Sequence, residues 1–388
     1  MSKTIGQQIE DFFLLHALDL ELLKIDRAID YRQRFDDLKK ELTNLVVVAD
    51  LASSTPGRLS SRLNSLSSEA RELIIEFYED LTRESNSFLS ELSAIESEVP
   101  ARRFNELLDT DYFENATEPK DADKFVGSLI VMGAALPDWF EAQSEALVNK
   151  FDRTVANAAR RGFTNDQIVA RVKGTQSAKQ MRIIPEIADA SGAIPGFTYS
   201  PPVTGRAQAD ATSVMTSGMH ALVAGVYFDF FEANSDVFQG IQHKSILDLL
   251  TSKICRSYAN MAWDLKHRPI FGNVLPYPGR PPLHFRCRSQ HVPILLPLKD
   301  LPAALIDSLS PETRQLFSSE QNLIANSESF NSWFSGIDPA QRAATVGRTF
   351  NLAWEKKELS AGDFLNRSGG VSIDIERYKQ RAKASPKK

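Results

Sequence analysis

Tyr31, Phe35, Leu38, Leu42 and Leu45 recur at alternating spacings of four and three, the seam of a long amphipathic helix that the pattern carries back to about Ile5. Ser53-Ser54-Thr55-Pro56-Gly57 breaks it. The same period then resumes through Leu59, Leu63, Leu66, Ala70, Leu73 and Phe77, and more loosely through Leu81, Phe88, Leu92 and Ile95. Two long helices joined by a short Pro-Gly turn are expected to lie antiparallel. Residues 1–98 therefore read as a helical hairpin, either an arm that docks on a larger assembly or a bundle that extends the core. Residues 99–136 lose the period, turn polar and acidic, and contain Pro100 and Pro119, which reads as a linker.

The helical pattern returns at Pro137-Asp138, since proline followed by an acid suits a helix N-terminus. It runs through Phe140, Leu147, Phe151 and Val155 to Arg160-Arg161-Gly162. Thr164 is placed to cap a short helix carrying Ile168, Val169 and Val172. Residues 183–202 are rich in Gly, Pro and Ser and read as an excursion, and 207–234 as one long apolar helix with Val214, Met215, Leu222, Val226 and Phe230 on one face. Gly240 to Leu247 suits a strand, and Leu250 to Cys255 a turn into a short helix that ends near Trp263. The proline- and glycine-rich run from Pro269 to Pro282 suits a loop that returns the chain to His284. After Pro297 the pattern is again helical, over 299–376. The sequence thus predicts a mainly α fold with a small β element confined to about Gly240–Leu296. It consists of the hairpin, a central α+β domain at 137–298 and a helical C-terminal region.

Composition narrows the class. The chain has 388 residues, 42% apolar and 24% charged, with a formal net charge of -5. No global field would draw it onto nucleic acid, so any such contact is local. The two cysteines cannot build a disulfide framework, and with no basic-plus-apolar segment ahead of Ile5 the expected place of synthesis is a reducing cytoplasm. No apolar run is expected to reach the ~18 residues of a membrane span; Leu45 to Leu51 is short and contains Asp50. Arg377, Lys379, Arg381, Lys383, Lys387 and Lys388 have no acid among them. Such a tail, 377–388, is either a solvated terminus or a phosphate contact that salt would weaken.

The distinctive chemistry is concentrated. Cys255 and Cys287, together with His243, His267, His284 and His291, fall between Gly240 and Pro297. Two thiols and an imidazole, with HxxC spacing from His284 to Cys287, are compatible with one zinc ion, for which a closed site needs a fourth ligand. Asp248, His267 and His291 are the candidates. The alternatives are cysteines packed as small apolar groups with His284 bonded to backbone, or a Cys/His nucleophilic pair.

The succession Asp248, Thr251, Cys255, then Pro281-Pro282-Leu283-His284, Cys287-Arg288-Ser289 and Val292-Pro293 resembles the signature of the phage Mu F-like family of minor head, or head-morphogenesis, proteins. In that family an Asp-x-x-Thr-x-x-x-Cys element precedes a Pro-Pro-x-His-x-x-Cys-Arg-Cys/Ser element. Further similarity at Gly162-Phe163-Thr164, Gly174-Thr175, the helix from Gln208, Trp333, Pro339 to Gln341, Gly347-Arg348, Leu359-Ser360 and Asp363-Phe364 extends the resemblance over about Asp138 to Ile375. Residues 1 to about 130 lie outside it. Two positions depart: Ala211-Thr212 stands where many relatives have Arg-Thr, and Asp248-Leu249-Leu250-Thr251 where Asp-x-Arg-Thr is common.

The resemblance implies structural motif roles for Asp248, Thr251, Cys255, His284, Cys287 and Arg288, with no established enzymatic activity. It implies a virion component, in several copies, in the head interior or at the portal vertex, acting in head assembly, DNA packaging or genome ejection. Its partners would be the portal protein, the major capsid or scaffold protein and packaged DNA, with no membrane. The competing class is a metal- or thiol-dependent hydrolase carried in the virion and acting during entry.

Overall fold

The computed structural model describes residues 4–115, 122–174, 201–245, 251–317, 334–346, 348–356 and 372–384. The protein is mainly helical with small antiparallel sheets, as the sequence predicts. The described chain divides into two compact units. One comprises Met1–Ala28, Asn86–Ala135 and Met215–Lys388, the other Ile29–Ser85 and Leu136–Val214. The division runs through the hairpin, α1 (Ile5–Ala49) and α2 (Pro56–Ser97).

In the second unit the two hairpin helices are antiparallel, because partner numbers on α2 fall as those on α1 rise. Tyr31 Oη meets Ser85 Oγ at 2.6 Å, Arg34 pairs with Glu84, Phe35 packs edge-on against Phe77 at 4.8 Å, and Arg62 donates to the Asp50 carbonyl at 2.8 Å. Tyr31, Phe35, Leu38 and Leu42 are buried as the period predicts. On α2 the buried row is Leu66, Ala70, Ile74, Tyr78 and Leu81, one position on from the predicted Leu73 and Phe77. Both members of each pair are apolar, so the pattern cannot choose between them; Tyr78 wins because its ring also meets Phe140 of α5 (Leu136–Arg160) at 6.0 Å. The predicted cap is present: Thr164 Oγ1 accepts from Gln167 N, and the Gln167 side chain returns the bond, opening α6 (Asn165–Lys173).

The first unit holds the site. Residues 99–136 do not form the expected linker. They contain α3 (Val99–Leu108), α4 (Ala122–Gly127) and a two-stranded hairpin, β1 (Ile130–Val131) and β2 (Ala134–Ala135), which lies outside the predicted β region. Pro100 sits in the first turn of α3, where its missing N–H costs nothing, so it starts a helix there. The polar composition hides a buried row of Val99, Ala101, Phe104 and Leu108. Phe104 stacks on Phe230 at 5.5 Å and meets Phe238 at 5.1 Å. Phe230 belongs to α7 (Gly205–Ala233), the one described helix apolar and long enough to cross a membrane by composition, contrary to the sequence expectation; 78% of its most apolar window is buried inside the protein.

Beside α7 lies a four-stranded antiparallel sheet ordered β5-β4-β3-β6, made of β3 (Phe238–Lys244), β4 (Ala262–Trp263), β5 (Pro269–Ile270) and β6 (Gln290–Leu295). Gly240 is required, since a Cβ there would stand 2.2 Å from the Trp263 carbonyl. Pro293 is tolerated because β6 is an edge strand. The short helix α8 (Lys253–Tyr258) connects β3 to β4. Beyond the sheet follow α9 (Ala303–Ser308), α10 (Pro311–Leu316), α11 (Pro339–Val346), α12 (Arg348–Glu355) and α13 (Ile375–Lys383).

The C-terminal basic run is not a free terminus over its described part. Tyr378 of α13 is 1% exposed and donates to Glu96 Oε1 at 2.6 Å, while His16 Nε2 meets Glu96 Oε2 at 2.9 Å. Arg381 pairs with Asp19 at 2.5 Å, and Arg102 and Arg103 of α3 donate to carbonyls at the end of α13, where cations suit the helix dipole. Of the predicted phosphate contacts, Arg381 is thereby neutralised within the fold. Arg377 and Lys383 are exposed, Lys379 is half-buried, and Lys387 and Lys388 lie outside the described residues.

Candidate metal centre

Cys255 enters the site from the first turn of α8. Ser252, and not the motif residue Thr251 beside it, is the N-cap of that helix, its Oγ accepting from Cys255 N at 3.2 Å. Thr251 immediately precedes the cap, and Asp248 lies outside the described residues. His284 and Cys287 come from the loop that leads into β6. The Pro281–Pro282 peptide in this loop is cis, and Cys287 N bonds the His284 carbonyl at 3.1 Å in a tight turn. Arg286, at φ 60°, donates its N–H to Ser217 Oγ of α7 at 3.2 Å.

These elements bring Cys255, His284 and Cys287 together although 29 and 32 positions separate them from Cys255 in sequence. Cys255 Sγ lies 3.2 Å from His284 Nε2 and 3.6 Å from Cys287 Sγ, and all three ligand atoms fall within 4.8 Å of one another. His284 Nδ1 lies 2.8 Å from the Phe285 carbonyl. Only a protonated nitrogen can bond a carbonyl, so Nδ1 carries the hydrogen and the Nε2 lone pair faces Cys255 and Ser252 Oγ, the latter at 2.8 Å. That tautomer is the one a metal-ligating histidine adopts when backbone orients it. In a tetrahedral zinc site, bonds of about 2.3 Å to sulfur and about 2.0–2.1 Å to nitrogen put ligand atoms roughly 3.5–3.8 Å apart. The donor set could hold a metal ion: the 3.6 Å between the sulfurs lies in this range, and the 3.2 Å between Cys255 Sγ and His284 Nε2 is shorter.

The surroundings favour thiolate at one sulfur only. The Cys255 thiol is drawn below its ordinary range chiefly because Cys287 donates its S–H to it; burial opposes, while Ser252, Ser289 and the Arg288 charge assist. Cys287 is pushed up for the converse reason, with burial adding. Both cysteine residues are 2% exposed. Further bonds pin the walls: Ser245 Oγ donates to the Cys255 carbonyl at 2.9 Å and meets Ser289 Oγ at 3.0 Å. His220 Nδ1 of α7 bonds the Cys287 carbonyl at 2.8 Å, and burial, followed by the Lys24 charge, holds His220 well below the ordinary imidazole range.

The other proposed fourth ligands are elsewhere. The His267 ring stacks on Tyr277 at 4.0 Å, and His291 lies opposite His243 across the β3–β6 ladder with ring centroids 5.4 Å apart. Burial depresses the His243 imidazole to about 4, and His291 is also well lowered by burial, with His243 the next cause. Arg288 lines a cavity of about 40 Å³ together with His16, Glu21, His220, Tyr227 and His291. Its volume suits a few waters and falls far short of the roughly 300–1,000 Å³ of a small-molecule site.

Sequence reasoning missed Ser252 and His220. Ser252 was legible in kind, since Thr251 and Ser252 are adjacent and either can cap. His220 stands alone on an apolar helix, where spacing carries no signal for a bond to a loop 67 positions away. Compared with known proteins, the chain matches no family model, no curated protein and no solved structure.

Proposed function

We propose that this chain is a structural protein of a phage particle, a minor head protein of the Mu F-like kind associated with the portal vertex, and that Cys255, His284 and Cys287 hold a structural zinc ion. The observation that supports it is the convergence of the motif residues Cys255, His284 and Cys287 into one cluster, the cysteines buried and the histidine half-buried. Every described contact of that cluster fastens chain to chain: a helix cap, a backbone-bonded imidazole, and serine and histidine bonds to the two cysteine carbonyls. Metal held there would join α8 to the loop ahead of β6 and so close the small sheet into the α7 layer. In this reading the distal hairpin, Ile29–Ser85, contacts the portal or scaffold, several copies are present per particle, and Arg377 and Lys383 are the described tail cations left to meet packaged DNA.

A hydrolase reading draws on the 3.2 Å approach of Cys255 Sγ to His284 Nε2. Against it stand a sulfur that is almost fully buried, an imidazole oriented by a carbonyl in place of a carboxylate, and the lack of room for a substrate in the adjoining cavity. The test is incorporation. Particles assembled with His284→Ala or Cys287→Ala protein should contain less of it in proportion to its lowered melting temperature. Normal incorporation and stability with a defect only at a later step would support the hydrolase instead.

A further inference from the structure

The two thiols of the centre stand in a relation that metal binding alone does not require. Cys255 Sγ and Cys287 Sγ are 3.6 Å apart, in hydrogen-bond contact with each other. A disulfide needs about 2.05 Å, a closure of about 1.6 Å that side-chain torsions can supply. The loop carrying Cys287 is anchored at the His284 turn and at Ser217, and the helix carrying Cys255 is anchored at Ser252 and Ser245. Neither partner is therefore free to swing away from the other. Both cysteines are buried. His284, in contact with Cys255 Sγ, is itself only half-buried, so the cluster reaches the surface on that side.

We propose that Cys255 and Cys287 are a disulfide-forming pair: with no metal between them, hydrogen peroxide converts the thiols into a covalent bridge that takes over the metal's place as the tie between α8 and the loop ahead of β6. The Cys255 sulfur attacks one peroxide oxygen as its proton passes to His284 Nε2. An S–O bond forms, the O–O bond breaks, and the departing hydroxide leaves as water with the proton that His284 returns. Cys287 sulfur then attacks the sulfenic sulfur of Cys255. The S–S bond forms, the S–O bond breaks, and the second oxygen leaves as water with the Cys287 proton. Two thiols lose two hydrogens and two electrons, and one peroxide becomes two waters. This inference rests on the cluster assigned above to zinc, but it does not require the metal.

The experiment uses full-length protein stripped with a chelator, exposed to excess hydrogen peroxide, unfolded, alkylated and digested for peptide mass spectrometry. The expected product is one cross-linked species joining the Cys255 and Cys287 peptides, two hydrogens lighter than their sum, reverting with a thiol reductant. Because the bridge closes a loop across 32 positions, the oxidised protein should melt roughly 5–10 °C higher than the reduced, metal-free form. In Cys287→Ser protein the reaction should stop at a sulfenic acid on Cys255 that dimedone traps. Recovery of both cysteines as alkylated thiols, or as sulfinic and sulfonic acids without the cross-link, overturns the proposal. A parallel sample preloaded with zinc separates it from the metal reading. Protection by zinc supports both, whereas equal rates of cross-linking with and without zinc contradict bound metal and leave the bridge standing.

Discussion

His243 lies on β3, fully buried and with neither ring nitrogen hydrogen-bonded among the described residues, and burial carries its imidazole from the ordinary 6.5 down to about 4. The folded protein therefore binds fewer protons at this residue than the unfolded chain does between those two values. The sign follows: stability is complete above pH 6.5 and is lost as pH falls, because the unfolded chain takes up a proton the folded one refuses. At about 1.4 kcal/mol for each tenfold difference in proton affinity, the total loss is about 3 kcal/mol, most of it present by pH 4.5. Acidic side chains also titrate in this range, so the measurement is a difference. Urea unfolding of wild-type and His243→Leu protein at pH 7.5 and pH 4.5 isolates the imidazole. At pH 7.5 the variant should be as stable as wild type or slightly more so, since it removes a buried polar group with no partner. At pH 4.5 it should be more stable by about 2–3 kcal/mol. An equal loss in both proteins on acidification would refute the assignment of the pH dependence to His243.

Three further outcomes are expected. Elemental analysis of purified protein should find one zinc per chain, and chelation should lower the melting temperature of wild type while leaving His284→Ala and Cys287→Ala unchanged from their own lowered values; protein that melts identically with and without chelator would exclude metal as the tie. Tyr378→Phe should cost about 1–3 kcal/mol in denaturant unfolding, because Glu96, 0% exposed, loses the donor at 2.6 Å; an unchanged midpoint would show that α13 contributes nothing through this bond. Deleting residues 1–98 removes Ile5, Ile9, Phe13, Leu18, Leu22 and Leu23 from the core of the first unit and should abolish its cooperative thermal transition, whereas a truncated protein that still melts sharply would show the hairpin to be an independent arm.

The long helices were legible because a 3.6-residue period sustained over tens of residues has no competing explanation, and the fold class followed from it. Finer features escaped where two residues satisfied one rule. Leu73 and Ile74, or Phe77 and Tyr78, satisfy the period equally well; Phe35 meets both rings of the second pair, Phe77 the more closely, and it is the added contact with Phe140 that buries Tyr78. Residues 99–136 were obscured because the buried row Val99, Ala101, Phe104 and Leu108 is interleaved with Arg102, Arg103 and Glu106, and the two arginines turn inward to carbonyls at the end of α13. The docking of α13 depends on Glu96, Asp19, Arg102 and Arg103, hundreds of positions away, so composition could report only that the tail is basic. In the site, cysteine and histidine spacing identified the three clustered side chains, whereas Ser252 and His220 act through backbone bonds that any sequence could supply.

The central claim concerns place in a particle, and cryo-electron microscopy of an intact phage head containing this chain tests it most directly. The account predicts several symmetry-related copies at a single vertex in contact with the portal, each with density joining Cys255, His284 and Cys287. Particles that are complete and infectious with no copy of the chain at the portal vertex or inside the head would contradict it.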